Sequence, residues 1–260
     1  MMYAFSRNGL AVLEGLRGQT ALFAFDFDGT LAPIVADSRR AKLSAGTRAL
    51  LARLARTAPV AAVSGRPVGD LRARVPIDLR AFAGDHGAEI FPAKLRRDGS
   101  LASAKKVIRH WEEMLGQSLP RVPGVWLERK ELSLCVHFRQ ARRRADAKRG
   151  VLRAVAALDP PARILPGKCV VNLLNPRLPH KGDAVLAIMK ATGARAAMYV
   201  GDDSNDEDVF ALGDPRICTI RVGRRKDSRA ALYLKRQSEI DRLLRFLLSL
   251  PGPPRYRGGR

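Results

Sequence analysis

Two aspartates one residue apart, Asp26 and Asp28, close the apolar run ALFAF and are followed at once by Gly29 and Thr30. A carboxylate at the end of a buried strand is costly unless something compensates its charge. Two more apolar runs end in polar groups: PVAAV (59–63) runs into Ser64-Gly65-Arg66, and AAMYV (196–200) into Gly201-Asp202-Asp203. In an open parallel sheet the carboxyl ends of neighbouring strands line one crevice, where ligands bind. Four carboxylates there repel one another until they share a divalent cation, and an all-oxygen donor set suits Mg²⁺ rather than zinc. Ser64 offers a hydroxyl. Lys181 opens a helix, whose free N–H groups and dipole favour an anion. Carboxylate, metal and lysine around one phosphoryl group make a phosphoryl-transfer site. One aspartate of the first pair would attack phosphorus, and its neighbour would protonate the departing alcohol and later deprotonate water. Asp-Gly alone is an ordinary turn signal. The ordered set DFDG, SGR, KGD and GDDSNDED carries the chemistry.

Alternating strand and helix patterns supply the frame, which reads as an α/β core with a mostly parallel sheet and helices on both faces. After the strand at 21–28, Leu50, Leu51 and Leu54 mark a helix over 44–57, and a second strand covers 59–66. A strand, a glycine-bearing turn and a return strand follow over 79–92. Helices are predicted at 103–119 and 141–159. Between them Leu132, Leu134, Val136 and Phe138 alternate with polar or small residues, the mark of a strand with one polar face. Two short strands are expected around Pro166-Gly167 (162–174). Residues 100–177 therefore read as an inserted α+β unit, flanked by a core of 1–99 and 178–260. The alternation resumes with a helix from Lys181, a strand at 196–203, a short helix after Asn205 and a last strand at 218–223. A closing helix at 238–250 has Ser238 as its expected N-cap, and the tail after Pro251 is expected to be disordered.

Composition narrows the setting. With 46% apolar and 6% aromatic residues, a globular α/β protein is expected. The formal charge of +22, from 47 Lys and Arg against 25 Asp and Glu, suggests an anionic partner. The basic residues are scattered, however, without zinc-finger spacing or interleaved aromatics, so nucleic acid is not the expected partner. Cys135, Cys169 and Cys218 lie far apart in apolar stretches and read as core residues of a reducing compartment. No run has signal-peptide or membrane length, so a soluble, cytoplasmic protein is expected.

The segments DFDGTLAPI, SGRP, HKGDA and GDDSNDEDVF resemble the four motifs of the haloacid-dehalogenase-like phosphatases. The finer resemblance is to trehalose-6-phosphate phosphatases, through GDDSNDEDVF and through GDHGAEI (84–90), LERKELSLCVHFR (127–139) and GKCVVNLLNP (167–176). It spans about residues 21–222. By that resemblance Asp26 is the nucleophile and a Mg²⁺ ligand. Asp28 is the acid/base, with its carbonyl on the metal. Asp202 is a ligand, and Asp203 and Asp206 support it. Ser64 and Lys181 hold the phosphoryl oxygens, with Thr30 and Arg66 of the same motifs facing the substrate. His86 and Glu89 match positions near the sugar, as do Glu128, Arg129, Lys130 and Lys168 of the insert, which looks like the family's cap. One departure is visible: Asn172 stands where the family has Glu. An amide presents a different hydrogen-bonding pattern from a carboxylate, which opens the identity of the sugar. Trehalose 6-phosphate is the leading substrate. Sucrose phosphate or glucosylglycerol phosphate is the alternative within the same chemistry, and a polyanion-binding protein on this scaffold is the alternative outside it.

Overall fold

The computed structural model describes residues 1–92, 101–119, 123–167 and 169–250, apart from the side chain of Leu101. Lys168 and the tail after Pro251 lie outside the described residues. The chain divides into two compact units, one of Met1–Arg96 with His180–Arg260, the other of Arg97–Pro179.

The first unit contains, in chain order, β1 (Met2–Tyr3), α1 (Arg7–Glu14), β2 (Ala21–Phe25), α2 (Ala45–Ala55), β3 (Val60–Val63), α3 (Val68–Arg74), β4 (Ala81–Gly84) and β5 (Glu89–Phe91). The second unit contributes α4 (Leu101–Ser118), β6 (Trp126–Arg129), β7 (Ser133–His137), α5 (Arg144–Ala156), β8 (Arg163–Gly167) and β9 (Val170–Leu174). The first unit then resumes with α6 (Lys181–Thr192), β10 (Ala196–Gly201), α7 (Glu207–Phe210), β11 (Ile217–Val222), β12 (Leu232–Leu234) and α8 (Ile240–Ser249).

The first unit is built on an eight-stranded sheet in the order β1-β12-β11-β10-β2-β3-β4-β5, parallel except for the β4–β5 pair. Its central strands are apolar on both sides because helices cover both faces. Strand alternation sorts β2 cleanly. Phe23 and Phe25 join one core with Leu51 and Leu54 of α2 and Leu243, Leu244 and Leu247 of α8. Leu22 and Ala24 face Val185, Ile188 and Met189 of α6 and Phe210 of α7. Full burial of a leucine such as Leu51 contributes about 1.5–3 kcal/mol. Ser44 caps α2 by accepting the Thr47 N–H at 2.9 Å, and the Thr47 hydroxyl donates to Asp241 of α8 at 2.7 Å, tying the two helices together.

In the second unit the sheet is antiparallel, in the order β6-β7-β9-β8. Leu134, Val136, Val171 and Leu173 pack on Ile108, Trp111 and Leu115 of α4 and on Val151 and Val155 of α5. The buried Trp111 indole donates to the Pro160 carbonyl at 2.7 Å, so its one polar atom is satisfied.

Four local expectations change. The sheet extends past β11 to β12 and β1, whose two or three residues are too short to show a period. Helices α1 and α3 add to those expected. Ser238 lies inside a 3-10 turn, Gln237–Glu239, and Glu239 precedes α8, its carboxylate accepting the Lys235 N–H and the Tyr3 hydroxyl. Pro166 and Gly167 belong to β8, an edge strand where proline is tolerated, and the chain reverses beyond them at Cys169, which has φ +63°.

Candidate active site

Asp26 follows β2, Ser64 follows β3, and Asp202 follows β10, all on the carboxyl side of adjacent parallel strands. Lys181 is the first residue of α6. Its helix begins with a reciprocal cap in which the His180 ring accepts the Asp183 N–H and the Asp183 carboxylate accepts the His180 N–H.

The lysine is completely buried and bridges two carboxylates. Nζ donates to Asp26 Oδ1 at 2.7 Å and to Asp206 Oδ1 at 2.6 Å. The Tyr199 hydroxyl also donates to Asp206 Oδ1, at 2.6 Å, and the Asp203 N–H donates to Asp206 Oδ2, at 2.9 Å. Burial works against the Lys181 charge, but Asp206 and Asp26 outweigh it and hold the ammonium above its ordinary range. Burial pushes the Asp26 carboxyl up, and Asp206 and Asp202 add to this against the pull of Lys181. Asp202 is pushed up to about 7 by burial, then by Asp206 and Asp203.

Asp26, Asp202 and Asp206 each place a carboxylate oxygen within 4.8 Å of the others. Once all three shed their protons, the carboxylates would exceed the one ammonium by two negative charges, the complement of a divalent cation. Asp202 Oδ1 is buried without a hydrogen-bond partner, which in a buried carboxylate points to a missing cation or water. The site therefore fits a metal ion.

Asp28 lies apart from this cluster. Arg66 grips it with two bonds, Nε to Oδ2 at 2.6 Å and Nη2 to Oδ1 at 2.7 Å, and also donates to Asp70 at 2.9 Å and to the Ser38 carbonyl at 2.8 Å. The guanidinium expected to face substrate is thus spent on protein carboxylates. Ser64 Oγ accepts the Arg66 N–H at 3.2 Å, which leaves its own hydroxyl hydrogen free to donate. The Thr30 hydroxyl is buried and unpartnered. Asp203 is exposed and its carboxylate caps the 3-10 turn Ser204–Asp206, while Asp206 joins the acidic cluster. His86 has φ +60° and its ring lies against Gly65, where a Cβ would approach Cε1 to 2.5 Å; Nδ1 is 3.3 Å from Asn205 Nδ2. Glu89 opens β5, half-buried.

Of the residues expected in the insert, Glu128 meets His137, Arg129 pairs with Glu112 at 3.2 Å, and the Lys130 N–H closes the β6–β7 turn on the Ser133 carbonyl. Asn172 has both ends of its amide engaged: Oδ1 accepts from the Cys135 thiol at 3.1 Å and Nδ2 donates to the Leu165 carbonyl at 3.2 Å.

Two contributors are absent from the sequence reading. Tyr199 is a fully buried phenol in an apolar strand, and such a hydroxyl needs a partner. Arg221, the one charge inside β11, is 5% exposed and donates to the Asp202 and Asp203 carbonyls and to Glu207, bracing the acidic loop from below. An arginine or tyrosine in a continuous apolar run is the signal for both.

The parallel α/β core with an acidic site at its carboxyl ends defines the class, that of haloacid-dehalogenase-like folds. A family model for trehalose-phosphatase matches residues 24–236, and the chain belongs to that family. It is similar to the trehalose-phosphate phosphatase of Mycobacterium avium (strain 104), 34% identical over 205 residues, covering 76% of this chain and 52% of the relative. It is also similar to that of Mycobacterium tuberculosis (strain H37Rv), 33% identical over 267 residues, covering 93% of this chain and 66% of the relative. The chain thus spans about half to two thirds of the length of these curated relatives. Its fold matches the C-terminal domain of Candida albicans trehalose-6-phosphate phosphatase with TM-score 0.76 and 21% identity, over 96% of this chain and 99% of that one. The C-terminal domain of the Candida albicans trehalose synthase regulatory protein shares the fold with TM-score 0.66 and 14% identity, over 95% and 99%.

Proposed function

We propose that this chain is a Mg²⁺-dependent phosphatase that hydrolyses trehalose 6-phosphate to trehalose and phosphate through an aspartyl-phosphate on Asp26. The observation that carries the proposal is the buried Lys181 ammonium bridging Asp26 and Asp206 beside the unpartnered Asp202 oxygen. Fold likeness alone is a weaker support, since a fold hosts different functions.

Asp26, Asp202 and Asp206 would hold the ion, with the Asp28 carbonyl as a further ligand and Asp203 capping the loop that carries the acids. Bound there, Mg²⁺ supplies the positive charge that keeps these carboxylates ionised and neutralises phosphoryl oxygens. Lys181 holds one Asp26 oxygen and orients the other. That oxygen attacks phosphorus, the ester P–O bond breaks, and Asp28, once one of its oxygens is released from Arg66 and protonated from solvent, gives that proton to the sugar oxygen. Asp28 then takes a proton from water, whose oxygen attacks phosphorus and releases the Asp26 carboxylate. Arg66 positions Asp28 through the bond that it keeps to the other oxygen. Ser64 and Thr30 donate hydroxyls to the phosphoryl oxygens. His86 and Glu89 lie toward the sugar in this reading, and the inserted unit serves as the cap that recognises it through Glu128, Arg129, Lys130 and Lys168.

Asn172 favours a second reading within the same chemistry. Its amide is committed to Cys135 and Leu165, so the sugar contact of the family's Glu is altered, and another glycoside phosphate is a competing substrate. Among the described residues no helix is long and apolar enough to cross a membrane, and cytoplasmic residence is proposed with the function. A panel of trehalose, sucrose, glucosylglycerol and glucose phosphates, assayed with Mg²⁺ and with EDTA, tests the proposal. Highest kcat/KM on trehalose 6-phosphate is expected; preference for another member selects the second reading.

A further inference from the structure

The large excess of basic residues, which the acidic site does not use, has a focus in the first unit. A cavity of about 1190 Å³ opens along the segment that leads into α2, with the carboxyl end of α3 forming part of its wall. Five cationic side chains line it, Arg39, Arg40, Lys42, Arg48 and Arg74, against one carboxylate, Asp37. Two of the five are already matched: Arg39 pairs with Asp37 at 3.0 Å, and Arg74 with Asp70 at 2.7 Å. Arg40, Lys42 and Arg48 are exposed, and among the described residues none of the three makes an ion pair or a side-chain hydrogen bond. Like charges gathered in one concavity raise its potential and draw an anion into it.

The wall that presents these charges is held from behind. Arg74 Nη1 donates to the Arg39 carbonyl at 3.0 Å and to the Ala41 carbonyl at 2.7 Å, and Arg66 Nη2 donates to the Ser38 carbonyl at 2.8 Å. Asp37 accepts the Arg39 N–H at 3.0 Å and so starts the 3-10 turn Ser38–Arg40. A wall fixed before binding has less ordering entropy to lose when a ligand arrives.

We propose that this cavity binds the oligophosphate chain of a small molecule, a di- or triphosphate, separately from the acidic site. Three unmatched cations complement the several negative charges of such a chain, where a single orthophosphate would meet only one or two of them. Arg40 and Arg48 can each grip a phosphate through parallel N–H donors, and Lys42 adds a point charge. Val35, Leu43 and Pro76 add apolar surface to the same cavity, which suits a ligand with an organic part beyond its phosphates. The lining has no aromatic side chain on which the bases of a nucleic acid strand would stack. Asp26, Asp28, Lys181 and Asp202 do not line it, so the site is distinct from the one that would handle the sugar phosphate.

Calorimetric titration of the full chain in EDTA, at an ionic strength of about 0.15 M, with tripolyphosphate, ATP and orthophosphate as probes, tests this. Without metal no turnover enters the readout, so failure of the phosphatase reading leaves the result intact. One equivalent of tripolyphosphate should bind with a Kd below about 100 μM, and orthophosphate roughly tenfold more weakly or worse. The ATP arm separates the sources. Tighter binding of ATP includes the nucleoside in recognition, and equal or weaker binding assigns the site to the phosphate chain itself. Combining Arg40→Gln, Lys42→Gln and Arg48→Gln should weaken tripolyphosphate binding by roughly 30-fold or more. Removing the same charge from the second unit, through Lys106→Gln, Arg142→Gln and Lys148→Gln, should change it by less than about threefold. No binding of tripolyphosphate up to about 1 mM, unchanged affinity in the first combined variant, or an equal loss in both would reduce the cavity to a solvated basic surface. If the first combined variant does not fold, its three single variants decide. Each should lose affinity, and no loss in any of them overturns the proposal.

Discussion

Gly29 lies so close to Asp202 that a Cβ on the glycine would sit 2.1 Å from the aspartate Oδ2. Its φ of +78° also belongs to the region that other residues enter only at a cost of about 1–2 kcal/mol. Gly29→Ala should therefore displace the Asp202 carboxylate and weaken Mg²⁺ binding by roughly 10–100-fold, with only a modest loss of stability. Calorimetric Mg²⁺ titration beside a thermal melt separates the two effects. Unchanged Mg²⁺ affinity would remove Asp202 from the ligand set.

Lys181 is the only cation bonded to Asp26 and Asp206 among the described residues. Lys181→Met leaves buried carboxylates facing one another, and breaking a buried pair in this way costs about 3–5 kcal/mol at neutral pH. Part of the loss should return near pH 5, where protonation removes the stranded charge. Denaturant melts of the metal-free protein at the two pH values read this out. Equal stability of variant and parent at neutral pH would contradict the bridging role.

Raised carboxyl pKa values also fix the sign of the pH dependence. Asp202, at about 7, holds a proton at pH 6 that an incoming ion must displace, and the buried Asp26 is shifted in the same direction. Mg²⁺ should bind roughly tenfold more tightly at pH 8 than at pH 6. In the metal-free protein the folded state holds more protons than the unfolded chain between about pH 4 and 7, so this contribution to stability falls as pH rises through that window. Metal titrations and melts across it provide the check, and a flat Mg²⁺ profile would place the ion elsewhere.

Arg66 separates a positioning role from a substrate-binding one. Its fork is matched to Asp28 with two bonds, which a lysine cannot reproduce. Arg66→Lys should lower kcat by roughly 10–100-fold through a misplaced Asp28 while leaving KM nearly unchanged. A rise in KM at constant kcat would return Arg66 to the phosphate.

Much of this site is legible in the chain because its parts are local. DFDG, SGR and GDDSNDED each sit where an apolar run stops, and burying a carboxylate there announces a function before any fold is known. The central strands are equally legible, since burial on both faces leaves them uninterrupted by polar residues. What escapes is decided by contacts distant in sequence. Arg66 looks like a free cation until Asp28 and Asp70 fold against it. Asp203 and Asp206 look equivalent, yet one caps a turn in solvent and the other is fully buried under Tyr199 and Lys181. Strands β1 and β12 are held by the sheet edge rather than by their own pattern.

In the proposed mechanism Asp26, held by Lys181 beside the acidic cluster, attacks phosphorus. Phosphate release from trehalose 6-phosphate in Mg²⁺, followed side by side for the parent chain and Asp26→Asn, tests it most directly. The parent should turn over and stop on addition of EDTA, and the isosteric variant, its fold checked by circular dichroism, should release no phosphate above the uncatalysed background. Comparable turnover by Asp26→Asn would contradict the account.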